Sequence, residues 1–157
     1  YYDRVSLGRE KVMLEYSTTI KDDDFPTSLR GSFERDRILT YTTVGVHRDD
    51  LNLSLEGYLV KKLGSQGQKK SFLTALKLAQ FAYLVKQKGV KPLLLLDDIF
   101  DKLDADRVSQ IIQIVSSTDF GQVFVTDTNR EHIDEILQQH AMEYKIFHVE
   151  RGEVMDL

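Results

Sequence analysis

The sequence contains no cysteine. That excludes disulfides and thiolate metal sites, and it fits a cytoplasmic protein. It has no apolar run long enough to span a bilayer. Tyr1 to Glu10 is polar and charged and is not expected to act as a signal peptide. An excess of positive charge is also missing: 21 Lys and Arg stand against 25 Asp and Glu, for a net charge of −4. This argues against a uniformly basic nucleic-acid binder and leaves room only for a local patch. There is no Gly-x-x-x-x-Gly-Lys-Ser/Thr loop, the element that cradles phosphates and supplies a Mg²⁺ ligand in P-loop nucleotide hydrolases. The chain begins at Tyr1 rather than at methionine, so it is expected to be a segment of something longer. What remains is one domain's worth of sequence, 157 residues of which 41% are hydrophobic, enough to form a core.

The chain is organised around Lys91-Pro92-Leu93-Leu94-Leu95-Leu96-Asp97-Asp98. Four consecutive leucines predict a strand buried on both faces, as in a parallel sheet. Two carboxylates follow where that strand ends, and open α/β sheets bind ligands beyond the carboxyl ends of their strands. Mg²⁺ favours one or two carboxylates together with substrate phosphates. Asp97 is the candidate for the metal and Asp98 for polarising an attacking water, the form of a Walker B strand. Taken alone, a buried strand followed by an acidic loop explains the stretch equally well.

Upstream, Leu63-Gly64-Ser65-Gln66-Gly67-Gln68-Lys69-Lys70 opens a predicted helix over 66–88. Its apolar residues include Phe72, Leu73, Ala75, Leu76, Ala79, Ala82 and Tyr83, a wide face. Lys88-Gly89 is a basic last turn followed by a terminating glycine. The helix start is an anion-binding candidate: Ser65 offers an N-cap hydroxyl, Gly67 permits close approach to the backbone, and the dipole is positive there. An ordinary capped helix after a flexible turn is the competing explanation. Lys69 and Lys70 begin the helix, where a phosphate or DNA contact by Lys70 and a solvent-exposed lysine pair are equal alternatives.

In the first sixty residues, Lys11 to Ile20 reads as a strand, broken by Lys21-Asp22-Asp23-Asp24. Asp24 is placed to cap a helix that starts around Pro26 and runs to about Arg37, with Leu29 and Phe33 on one face. Ile38 to Val46 reads as a strand, and Leu51, Leu53 and Leu55 as a half-buried one. Glu56-Gly57 turns the chain back into Tyr58 to Lys61. His47 and Arg48, in the loop over 45–50, are candidates for phosphate or DNA contact, although a polar hairpin loop accounts for them equally. Arg30, Arg35 and Arg37 make the region locally basic, with Glu34 and Asp36 interleaved. Tyr1 to Glu10 reads as a frayed helix end or a linker.

Beyond the leucine strand, Asp104 caps a predicted helix to about Ser117, with Val108, Ile111, Ile112 and Val115 on one amphipathic face. Gln122 to Thr126 is a short buried strand. Thr128-Asn129-Arg130-Glu131 is a capping box for a helix carrying Ile133, Ile136 and Leu137. Lys145 to Val149 and Glu153 to Leu157 form a closing hairpin about Arg151-Gly152. Alternating strands and helices mean α/β with a partly parallel sheet. His132, His140 and His148 do not have metal-ligand spacing.

The order of Ser65-x-Gly-Gln, a long helix, Leu93 to Asp98 and then Lys102-Leu103-Asp104 resembles the signature loop, Walker B strand and D-loop of ABC-type ATPase heads. Glu34-Arg35-Asp36-Arg37, Leu39-Thr40-Tyr41-Thr42, Gly45-x-His-Arg-x-Asp-Leu51 and Leu76-x-Leu-Ala-Gln80 narrow the resemblance to the RecF family, over about Lys11 to the C-terminus. Val46 departs from it, standing where that family usually has proline. The resemblance implies an α/β chain. It would be part of an ABC-type ATPase head, P-loop NTPase-like with a mixed or parallel sheet and flanking helices, preceded by an antiparallel β-rich segment. The expected division is 1–62 for the β-rich segment and 63–157 for the head.

The resemblance further implies ATP and Mg²⁺ as cofactors of an intact dimer, with the phosphate loop upstream and this piece alone inactive. Asp97 would hold the metal and Asp98 would orient water. Ser65, Gly67 and Gln68 would meet the γ-phosphate across the dimer interface, and Asp104 would lie in the D-loop. Asp127 stands where ABC transporters carry a switch histidine, so that contact does not carry over; helix capping accounts for Asp127 and Thr128. Gapped DNA and single-strand/double-strand junctions would be the substrates, with RecR, together with RecO, as protein partners. Two other readings compete. One is a metal-dependent phosphodiesterase using Asp97, Asp98 and Asp101. The other is a non-catalytic interaction module exposing a sheet edge or an apolar surface.

Overall fold

The computed structural model describes residues 1–20, 24–98, 100–117, 119–128 and 143–156. They fall into two units, Gly8–Lys69 and Tyr1–Leu7 with Lys70–Leu157. The expected division lay after residue 62; the units part at Lys69–Lys70, and the first seven residues go with the second unit. No helix among the described residues is long and apolar enough to cross a membrane.

In the Gly8–Lys69 unit, β1 (Val12–Ser17) pairs antiparallel with β2 (Asp50–Leu55), and Val12 faces Leu55. β3 (Tyr58–Leu59) adds to β2 through Glu56-Gly57. Both turn residues have positive φ, 48° and 83°, as the type I′ turn of a tight hairpin requires. The Glu56 carboxylate accepts the Lys11 N–H at 2.7 Å and ties the turn to β1. A one-turn helix, α3 (Val60–Leu63), follows.

Between the strands lies α2 (Phe25–Leu39). The Asp24 carboxylate accepts the Thr27 N–H at 3.2 Å, and Pro26 occupies the first turn, so both features expected at this helix start are present. Leu29 and Phe33 share a face, but both are exposed. The strand expected over 38–46 does not form. Helix continues to Leu39, Thr40 turns left-handed, and Val46–Arg48 make a short 3₁₀ turn. The cause is local: Asp36 accepts the Thr43 N–H at 3.0 Å and the Thr43 hydroxyl at 2.6 Å, and it also holds Ser32 Oγ at 2.9 Å. Such side-chain bonds offer the backbone an alternative to a sheet ladder.

α4 (Gln66–Lys88) has the bounds expected of it and contains the division between the units. Gly89 ends it at φ 67°, its N–H donating to Val85 O at 2.8 Å. The buried face is Ser71, Phe72, Thr74, Ala75, Leu78 and Phe81; Leu73 and Tyr83, expected among the buried positions, are exposed. The stripe is therefore the narrower i, i+3, i+4, i+7 kind.

In the second unit, β4 (Leu94–Leu96) pairs in parallel with β5 (Val123–Val125), Leu96 beside Val125. α5 (Ala105–Val115) lies between them in the chain, as a crossover connection between parallel strands demands. Val108, Ile111, Ile112 and Val115, the expected face, are all buried. They join Leu78, Phe81, Leu94, Leu96 and Phe120 in the core. The leucine run is buried on one face only. Leu94 and Leu96 are 6% and 1% exposed, whereas Leu95 is 64% exposed and Leu93 is exposed beside it. Successive strand residues point to opposite sides, and core packing within the described residues covers one side.

Tyr2–Val5 is a helical turn, α1, and not a frayed end. Val5 is fully buried in this same core, and the Tyr2 ring sits 5.0 Å from that of Phe72. β6 (Phe147–Glu150) and β7 (Glu153–Asp156) form the expected hairpin, with Arg151 and Gly152 at positive φ. The helix expected to carry Ile133, Ile136 and Leu137, with its capping box and His132 and His140, lies outside the described residues.

Candidate functional site

β4 and β5 end together. Because Leu96 pairs with Val125, the next residues, Asp97 and Thr126, leave the sheet side by side. The Thr126 hydroxyl donates to the Asp97 carboxylate and accepts the Asp98 N–H at 3.1 Å. One hydroxyl therefore fixes the first carboxylate and the backbone of the second. Asp98 takes φ 47°, a left-handed conformation that a non-glycine residue adopts only when its surroundings hold it there. Both carboxylates face solvent. Two exposed carboxylates thus follow a parallel strand pair.

Lys70 joins them from α4. Its ammonium donates to the Asp101 carbonyl at 2.9 Å and lies 3.7 Å from Asp98 Oδ2. It is therefore not part of a solvent-exposed lysine pair. The next helix residue, Ser71, is fully buried and accepts Arg107 Nη1 at 2.9 Å. Arg107 Nε in turn donates to Asp104 Oδ2 at 3.1 Å. Asp104 also accepts the Arg107 N–H at 2.9 Å, the N-cap of α5 expected from the sequence. Asp97, Asp98 and Lys70 thus share one set of contacts, and Asp104 reaches the neighbouring helix residue Ser71 through Arg107. Asp101 contributes its carbonyl, while its carboxylate pairs with Lys102 at 3.6 Å. Among the described residues no three acidic, histidine or cysteine side chains gather as a metal cluster, so the three-carboxylate phosphodiesterase arrangement is not formed.

Ser65, Gly67, Gln68, His47 and Arg48 belong to the Gly8–Lys69 unit. Ser65 Oγ accepts the Gln68 N–H at 3.1 Å, and Gln68 Oε1 accepts the Ser65 N–H at 2.9 Å. This is a reciprocal capping box. Gln68 Nε2 also donates to Glu10 at 2.8 Å. Gly67 lies in the first turn of α4. Gly64 is required just before it, since a Cβ there would come within 2.7 Å of the Val60 carbonyl. His47 Nε2 donates to Thr42 O at 3.0 Å, and the Arg48 guanidinium lies 5.8 Å from the Tyr41 ring centroid. Both side chains are exposed.

Resolved pKa shifts in this unit come chiefly from hydrogen bonds to carboxylates. Asp36 is lowered first by Thr43, Asp49 by the Tyr16 hydroxyl, Asp24 by Thr27 and Asp50 by Lys61. Tyr16 is raised by the same bond to Asp49.

Sequence reasoning missed Thr126, Glu10 and the Ser71–Arg107 link. Thr126 left a signal, since two short apolar runs each end on polar residues and parallel pairing aligns those ends. Glu10 and Ser71 left none, because their partners are distant in sequence.

No protein-family model matches the chain. It is 52% identical over 157 residues to the DNA replication and repair protein RecF of Parabacteroides distasonis, covering 100% of this chain and 43% of that one. It is 48% identical to the protein of the same name from Bacteroides thetaiotaomicron, over 100% of this chain and 42% of the other. The chain therefore spans less than half the length of these curated relatives. Among solved structures it is similar to the recombination mediator protein RecF-ATP in the RecFOR pathway. The TM-score is 0.67, with 26% identity over 98% of this chain and 42% of that one. The corresponding RecF-ATPrS structure has the same TM-score.

Proposed function

We propose that the chain is part of a RecF-family protein, as its 52% identity to a curated RecF over its whole length supports, and that it is the part of this ATP-dependent DNA replication and repair protein that carries the Walker B strand, D-loop and signature loop. In this reading two copies pair around ATP, clamp DNA at single-strand gaps and junctions, and release it on slow hydrolysis in the cytoplasm. RecR, with RecO, is the protein partner. The observation that carries the reading is the Asp97–Thr126–Asp98 arrangement at the carboxyl end of a parallel strand pair.

The donor set fits Mg²⁺. Two exposed carboxylates, with no cluster of three such ligands among the described residues, would suit a hard cation that takes water and nucleotide phosphate oxygens as further ligands. Asp97 would hold the metal, which would neutralise phosphate charge. Asp98 accepts a hydrogen bond from water and orients it. Aspartate is one methylene shorter than the glutamate of many ABC heads, in keeping with slow turnover. Ser65, Gly67 and Gln68 present the helix start to the γ-phosphate held by the other copy. His47 and Arg48 face the nucleic acid.

ATP turnover by the full-length protein tests this. Asp98→Asn is expected to lower kcat by about 100-fold or more, and the isolated chain, without a phosphate-cradling loop, is expected to turn over nothing. Undiminished turnover in Asp98→Asn, or turnover by the isolated chain, contradicts the reading.

A further inference from the structure

Lys70 has a role in the second unit that a surface lysine would not have. Its side chain is only 25% exposed, and its ammonium bridges the Asp101 carbonyl at 2.9 Å and Asp98 Oδ2 at 3.7 Å. Beside it, Ser71 receives Arg107, which holds Asp104. Two consecutive residues of α4 thus grip the segment after β4 at both ends. That segment needs a grip: Asp98 and Lys102 both stand at positive φ, 47° and 64°, and a left-handed non-glycine conformation persists only when neighbours impose it.

We propose that Lys70 is the positioning residue for Asp98, holding its carboxylate toward the site by tying the strand-end loop to α4. The inference rests on the Asp98 role given above and goes beyond it. The exposed side of an ion pair contributes little to stability, so the effect lies in where the carboxylate sits. Lys70 is then neither a DNA contact nor a phosphate contact.

Two measurements decide it. The first is amide hydrogen exchange in the isolated chain without nucleotide. Lys70→Met is expected to speed exchange at the amides of Asp98 and Asp101 by roughly tenfold, leaving α5 unchanged. Unchanged exchange at those amides overturns the tether.

The second is steady-state ATP turnover by the full-length protein. Lys70→Met is expected to lower kcat by roughly tenfold with KM for ATP and DNA affinity unchanged. Lys70→Arg is expected to restore most of it, and adding Lys70→Met to Asp98→Asn should cost nothing further, since the two act as one unit. Additive losses, or a loss of DNA affinity with kcat intact, overturn the positioning role. If Asp98→Asn itself leaves turnover unchanged, the ATPase reading fails, while the exchange measurement still decides the tether.

Discussion

Thr126 is the residue on which the strand-end site turns. Its hydroxyl is donor to Asp97 and acceptor for the Asp98 N–H. Valine has nearly the same shape and can do neither. Thr126→Val in the full-length protein is expected to cut kcat by roughly tenfold, because a displaced carboxylate orients water poorly. Thr126→Ser should keep most of the activity. Equal loss in both variants would mean that packing by the methyl group, and not the hydroxyl, matters.

A second residue-scale expectation concerns Asp36. Its bond from Thr43 lowers its pKa. A carboxyl lowered in the folded state adds stability that is present above its unfolded pKa of about 4 and is lost as pH falls through the folded value. Protection of the amides across the C-terminal end of α2, taken relative to their intrinsic exchange rates, should therefore fall on acidification, and Asp36→Asn should flatten that dependence. A dependence unchanged in the variant would assign the acid loss to Asp24, Asp49 or Asp50, which are lowered as well.

Elements differ in how far they could be read from sequence. α4 and α5 have the expected starts because their signals are local: Ser65 and Gln68 cap each other, and Asp104 caps its own helix. Both hairpin turns were legible for the same reason, each pairing a polar residue with glycine at positive φ. The stretch over 38–46 was not, because its threonines and branched residues suit a strand, while Asp36, a few residues earlier, captures Thr43.

The leucine run was legible as a strand but not as one buried on a single face, since burial depends on what packs against it. In the site, Asp97, Asp98 and Asp104 were marked by their positions after and before elements. The contacts of Lys70 were not, because its partners lie about thirty residues away. At this scale α5 is the test of packing. Ile111, fully buried, is expected to cost about 2–5 kcal/mol when replaced by alanine, measured by urea unfolding. A cost well under 1 kcal/mol would contradict the core described here.

For the whole molecule, the central claim is that the helix start at Ser65 serves the nucleotide of a second copy. Nothing in that claim requires the isolated chain to pair, since it spans only 43% of a curated relative's length. The direct measurement is sedimentation velocity of the full-length protein with and without Mg-ATP, beside Ser65→Arg. The arginine places bulk and a side chain unable to cap at the helix start, while the strand-end site keeps its own residues. ATP-driven dimerisation of the unaltered protein, absent in Ser65→Arg, is the predicted result. A protein indifferent to ATP, or a variant that dimerises equally well, would contradict the account and leave the Ser65–Gln68 pair as an ordinary helix cap.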